Sequence, residues 1–264
     1  MPVRRCTGAP IMNGMSDETP APPVSPILPP RLLTFLQIVA VSGFPTQLVL
    51  ATVLILGVGL APYSETGLSL QFIAIVSFLD TALVALLILL FLRLSGESSH
   101  QVFFGGKPFF PEFWRGLLFV PLVFVALTGL VAGLRYIAPW LQTVPENPLA
   151  AFMRDPFDAA IFAVVVMLAG GVREELQRGF ILHRSAQHFG SAWTGNLAFG
   201  LVFGALHIDQ GLDVALAIGL MGIGWGAAFI TRRSLVAGMT NHAGFNGAMV
   251  LQQVLASSLA MPVK

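Results

Sequence analysis

The sequence predicts an all-α protein, a polytopic membrane bundle of about seven transmembrane helices. Three observations predict it. Of the 264 residues, 55% are hydrophobic and only 10% are charged, whereas a globular chain carries about 25% charged residues. Mean hydropathy is +0.80. The apolar residues also fall into blocks of about the 20 residues that a helix needs to cross a hydrocarbon core of about 30 Å. Surface that never meets water needs no charge, so the solvent of this chain is lipid. The formal net charge is +1, from 14 Lys and Arg against 13 Asp and Glu, which leaves no basic excess for nucleic acid. The single cysteine, Cys6, provides neither a disulfide framework nor a thiolate metal cluster. Chemistry therefore falls to Glu, His, Asn, Asp or Ser.

Residues 1–31 read as a disordered Pro-rich tail: Pro2, Pro10, Pro20, Pro22, Pro23, Pro26, Pro29 and Pro30 interrupt any helix. Arg4 and Arg5 precede no apolar core of the signal-peptide kind. The transmembrane domain follows over 32–264. Its first apolar block, 36–60, ends at the turn-rich Ala61-Pro62-Tyr63-Ser64-Glu65, and the second, 69–93, ends at Gly96-Glu97-Ser98-Ser99. Phe103 to Phe110, with Trp114, is amphiphilic and reads as an aromatic element at the interface. The blocks 115–138, 157–183, 192–208, 212–231 and 235–257 complete the count, with turns near Gly190 and Arg233. Arg4, Arg5, Arg31, Arg93, Lys107, Arg115, Arg184, Arg232 and Arg233 fall on one side, against Arg135, Arg154 and Lys264 on the other, which predicts a cytoplasmic N-terminus. Glycines crowd the C-terminal half as packing positions, because small residues let helices approach closely in lipid.

Polar side chains inside these blocks carry the functional information, since a charge at bilayer depth costs about 2.5–3.5 kcal/mol. Asp80 stands by itself in the second span and reads as a buried carboxylate bonded to another helix or to water. The fourth span contains Arg173-Glu174-Glu175 and Arg178, four ionisable groups within six residues. Glu174 and Arg178 have the i,i+4 spacing of a helical ion pair. His207 and Asp209 close the fifth span, while Asn241, His242 and Asn246 lie in the seventh, with His242 and Asn246 on one face. His183 and His188 read as solvated residues of the turn. In a hairpin that turns at Gly190, Glu174 lies sixteen residues before the turn and His207 seventeen after it, so the two reach the same depth. A carboxylate, two imidazoles and an amide can then share one intramembrane cavity.

Glu-Glu followed by Arg-Gly-Phe, Phe203-x-x-x-His207 and His242-x-x-x-Asn246, in this order on successive helices, resemble the Abi or CPBP family of intramembrane proteases. That family is of the CAAX prenyl endopeptidase and bacteriocin-processing type. The resemblance covers about 155–255 and implies a helical bundle around a wet cavity, hydrolysing peptide bonds of membrane-anchored peptides or proteins within a bacterial plasma membrane. It implies that a glutamate, Glu174 or Glu175, and His242 activate water, that His207 and Asn246 stabilise the oxyanion, and that Arg178 and Phe203 support the site. In the family three residues separate the glutamate pair from the arginine, whereas here only Leu176 and Gln177 do. Aligning on Arg178 makes Glu174 the second glutamate and puts Arg173 in place of the first; aligning on the pair makes Glu174 the first.

A shielded carboxylate acting as general base toward water needs no metal. His207, His242 and Glu174 are equally the donor types of a zinc site with an open position, so a divalent metal such as zinc is the candidate cofactor, although no His-Glu-x-x-His occurs. Two readings from other classes stand beside the protease: a catalytically inactive scaffold of the same family, and a proton-coupled transporter. The transporter predicts related halves, yet the polar clusters concentrate in the C-terminal half.

Overall fold

Pro30 at the first helical turn, where its missing N–H costs nothing, opens α1 (Pro30–Val41). The computed structural model describes residues 29–65 and 67–260, so most of the Pro-rich tail expected over 1–31 lies outside the described residues. After Ser42, Gly43 takes φ +86°, a left-handed conformation open to glycine. The chain there turns into α2 (Phe44–Thr52), which runs on as a wide π turn over Val53–Val58. The two arms, Pro30–Val41 and Phe44–Val58, meet at 49°. A two-residue hairpin, β1 (Tyr63–Ser64) with β2 (Gly67–Leu68), leads to α3 (Leu70–Leu94), capped by Ser69. The short α4 (Ser99–Phe104) and α5 (Phe109–Leu118) follow, and α5 passes directly into α6 (Val120–Ile137). Asp155 then caps α7 (Pro156–Val166) by accepting from the Phe157 and Asp158 amides. A π turn over Met167–Arg173 joins α7 to α8 (Glu174–His188), and α9 (Ala192–Ala205), α10 (Leu212–Arg232) and α11 (Val236–Ala260) complete the bundle.

The helical membrane bundle is as predicted, but the count of spans is smaller. Among the described residues four helical stretches are long and apolar enough to cross: Leu70–Leu94, Phe109–Ile137, Pro156–His188 and Leu212–Arg232; the bent α1–α2 pair makes a fifth. The fifth expected span, 192–208, is reduced because α9 has 14 residues, about 21 Å at 1.5 Å per residue, well short of the core thickness. The seventh is long enough, but its Asn, His and Gln residues leave α11 less apolar than the others. The aromatic stretch expected at the interface is divided, since α5 is continuous with the α6 crossing.

Large apolar side chains point outward all round, among them Leu56, Leu86, Val125, Leu201 and Leu220, as helices solvated by lipid require. Inside, Val41, Val84, Ile88, Leu92, Phe180, Leu182 and Leu235 weld α1, α3, α8 and the start of α11 into one core. A second core of Leu127, Phe203, Ala217, Trp225 and Phe245 joins α6, α9, α10 and α11. Glycine permits the closest approaches: a methyl on Gly171 would sit 2.6 Å from Ala243 Cα, and one on Gly204 would sit 3.0 Å from Gly219 Cα.

At one end of the bundle Glu97, beyond α3, receives His183, Arg184 and Gln187 of α8, and Arg184 also reaches Gln37 at 3.0 Å. His183 is thus paired rather than solvated, because the turn folds α8 back onto the end of α3; His188 is half-buried. Burial alone raises the Glu97 carboxyl, but hydrogen bonds from His183, Arg184 and Gln187 and the charge of Arg184 outweigh it and hold it below the ordinary glutamate range. A group lowered in the folded state contributes stability above its ordinary value of about 4.3 and loses it as pH falls through the lowered value.

Two outcomes are expected in detergent-solubilised protein. Gly171→Ala should cost about 1–3 kcal/mol by overpacking and lower the thermal midpoint, while Gly224→Ala, where a methyl meets nothing within 4 Å, should leave it unchanged. Acidification below about pH 4 should lower the wild-type midpoint more than that of Glu97→Gln, which has no carboxylate there to lose.

Candidate functional site

The π turn Met167–Arg173 carries Gly170 and Gly171, both buried, against α11. A methyl on Gly170 would fall on the Asn246 amide and 3.8 Å from His242 Nε2. Absence of side chains here lets α11 lie against the chain immediately before Glu174. π turns recur at functional sites because the extra residue per turn redirects the side chains that follow.

Those side chains are the two glutamates, and they separate. Glu175 is fully buried and forms an ion pair with Arg178, three residues on. The pair expected between Glu174 and Arg178 is therefore not the one formed. Arg178 is enclosed by Phe199 and Phe203, each 5.2 Å from its guanidinium carbon, and by Trp225 at 5.6 Å; Glu175 is the carboxylate that faces this cage, and Glu174 points about 100° away around the helix. Glu175 Oε1 also lies 2.9 Å from His242 Nδ1. With Glu175 ionised against Arg178, Nδ1–H is the donor, so a neutral His242 presents a lone pair at Nε2. That nitrogen is 3.9 Å from Glu174 Oε2.

Trp225 stacks on the His242 ring, with centroids 3.7 Å apart and planes at 16°. Its indole donates to Asn241 Oδ1 at 2.8 Å, and Asn241 Nδ2 donates to the Gly116 carbonyl at 3.1 Å. α10, α11 and α5 thereby fix the plane of one imidazole, whose tautomer Glu175 of α8 sets. Sequence reasoning missed Trp225. Its signal was a tryptophan inside an apolar, glycine-flanked span, where the indole N–H must find an acceptor.

Glu174 is 18% exposed at its side chain and meets Arg173 Nη2 at 3.4 Å. Arg173 Nη1 pairs with Asp80, which also accepts from Thr46 and, at 3.2 Å, from Gln47. Asp80 is thus bonded to other helices, as the sequence indicated, and is joined through Arg173 to the glutamate.

His207 lies just past the end of α9, with Nδ1 2.7 Å from the Phe203 carbonyl. Phe203 stands between the two imidazoles, 4.8 Å from the His207 ring and 6.2 Å from that of His242. Asn246 donates one amide hydrogen to the Val166 carbonyl at 2.9 Å. Gly190 takes φ +88° between α8 and α9, so the hairpin that was to level Glu174 with His207 is formed. The zinc option requires His207, His242 and Glu174 together; among the described residues no three His, Cys, Asp or Glu are arranged to hold a metal ion.

Residues 156–248 match the family model described as Rce1-like, type II CAAX prenyl endopeptidase, which belongs to the CPBP family. The match runs from the start of α7 into α11, as far as Ala248, and includes all the motifs above. No curated protein and no solved structure gives a match.

Trp225→Phe keeps the stacking but strands the buried Asn241 oxygen. It should cost about 1–3 kcal/mol, read as a lower thermal midpoint than that of wild type in the same detergent.

Proposed function

From the Rce1-like match and the charges around His242, we propose that this integral membrane protein is an intramembrane endopeptidase that hydrolyses peptide bonds of membrane-associated substrates, with Glu174 as the base. The observation that carries this is a count. Two guanidiniums, Arg173 and Arg178, face three carboxylates, Asp80, Glu174 and Glu175. Asp80 and Glu175 are fully buried in close ion pairs, whereas Glu174 has one loose guanidinium contact and is the most exposed of the three. The uncompensated negative charge therefore resides on Glu174, beside an imidazole lone pair.

A water that donates one hydrogen to Glu174 Oε2 and the other to His242 Nε2 satisfies both acceptors: two bonds of about 2.8 Å at about a right angle span the 3.9 Å between them. Its oxygen lone pair then points away from both, toward a substrate carbonyl. As that oxygen attacks the carbonyl carbon, Glu174 takes the proton, and the free Asn246 N–H donates to the developing oxyanion. His207, held at Nδ1 by the Phe203 carbonyl, is the second oxyanion donor of this scheme when its Nε2 carries a proton. Collapse of the tetrahedral adduct breaks the C–N bond, and the proton held by Glu174 passes to the departing amine. Glu175 does not meet the substrate in this scheme; it sets the His242 tautomer. This reading corresponds to aligning on the glutamate pair, with the arginine one residue early.

Cleavage of a membrane-anchored fluorogenic peptide by purified protein is the test. Glu174→Gln should abolish turnover. Asn246→Ala should lower kcat by about 10²–10³ with little change in KM, the cost of one oxyanion donor. Glu175→Gln should reduce activity without abolishing it. Activity unchanged in Glu174→Gln would end this reading, and loss of wild-type activity on chelation, restored by zinc, would replace it with a metal-dependent one.

A further inference from the structure

Resting on the reading of Glu174 as base, we propose that Asp80 and Arg173 are positioning residues for the reaction: Asp80 draws the Arg173 guanidinium off Glu174, which is oriented by its neighbour without being neutralised by it. Neither residue belongs to the motifs of the site.

The geometry is that of a fork between two carboxylates. One nitrogen of Arg173 pairs with Asp80 and the other stands 3.4 Å from Glu174 Oε1, at the limit of a hydrogen bond. Adjacent in sequence, Arg173 could otherwise turn wholly onto Glu174. Asp80 prevents this because it is itself anchored by Thr46 and Gln47 of α2. The break between α1 and α2 supplies the wall on that side. A methyl on Gly43 would lie 2.9 Å from Arg173 Nη1 and 3.1 Å from Gln177 Nε2, and Gln177 donates to the Val41 carbonyl at 2.5 Å. The charged and titratable groups facing Glu174 are then Arg173 on its own chain segment, His242 from α11 and, through Arg173, Asp80 from α3; Arg178 is turned to Glu175. Since Coulomb attraction falls with distance and rises as water is excluded, where this guanidinium settles decides whether Glu174 is free to accept a proton.

The test uses the full chain in detergent and a membrane-anchored peptide that wild type cleaves and Glu174→Gln does not, with rates taken per folded, monodisperse protein. Asp80→Asn preserves shape and removes the charge. Its kcat should fall about tenfold with KM within about twofold, because Arg173 closes on Glu174. Adding Arg173→Gln removes the closing cation, so the double variant should be several-fold faster than Asp80→Asn, a coupling of opposite sign to simple accumulation of damage. A merely structural pair would shift thermal midpoint and yield but not kcat alone. Asp80→Asn with wild-type kcat, or a double variant no faster than Asp80→Asn, overturns the proposal while leaving Glu174 as base. Full activity in Glu174→Gln overturns both. If Asp80→Asn does not fold, Thr46→Val decides: it loosens the anchor and keeps the charge, and kcat should fall about two- to fivefold at constant KM, an unchanged kcat again overturning the proposal.

Discussion

A charge placed at bilayer depth must be compensated where it lies, for neither water nor lipid can do so at a distance. Arg178 meets this demand with Glu175 on one side and three aromatic faces on the other. Arg173 meets it with Asp80, brought from a different helix. The bundle is arranged around these two pairings. α3 has to approach α8 for Asp80 to reach Arg173, and α9 and α10 have to enclose Arg178 for its charge to be tolerated. One carboxylate, that of Glu174, is left with only a loose guanidinium contact.

The backbone cooperates by being irregular where the charges begin. A regular α-helix from Pro156 to His188 would carry the glutamates past α11 in another rotation. The wide turn over Met167–Arg173 and its bare Gly170–Gly171 surface instead let His242 and Asn246 settle directly against the chain preceding Glu174. Trp225 then acts as a lid on the far face of His242, and Asn241 secures that lid to α5. An imidazole fixed on one nitrogen and one face can be approached only through the other nitrogen, and Glu174 stands there.

Much of this was visible in the sequence, and the reasons are physical. Glu174, Glu175, His207, His242 and Asn246 stood out because lipid makes hydrophilic side chains expensive, and the hairpin at Gly190 could be placed because glycine marks a turn. What stayed hidden depended on rotation rather than on depth. Helical spacing matched Glu174 with Arg178, but a residue's direction around the axis after a π turn is not encoded in an i,i+4 count, and the partner is Glu175. Asp80 gave no sign of its link to Arg173, ninety-three positions away. Span counting went beyond the helices that qualify by length and composition, at α9 and α11, because an apolar block has no mark showing where its helix stops, nor how far a few amides reduce its affinity for lipid.

The brevity of α9 bears on the hydration of the polar groups at its end. Fourteen residues fall about 9 Å short of a 30 Å hydrocarbon layer, and the polar turn that carries His207 follows the helix directly. Acyl chains cannot satisfy a polar turn, so it is stable only against protein, headgroups or water. A short helix thus keeps polar groups close to hydration without a pore through the protein.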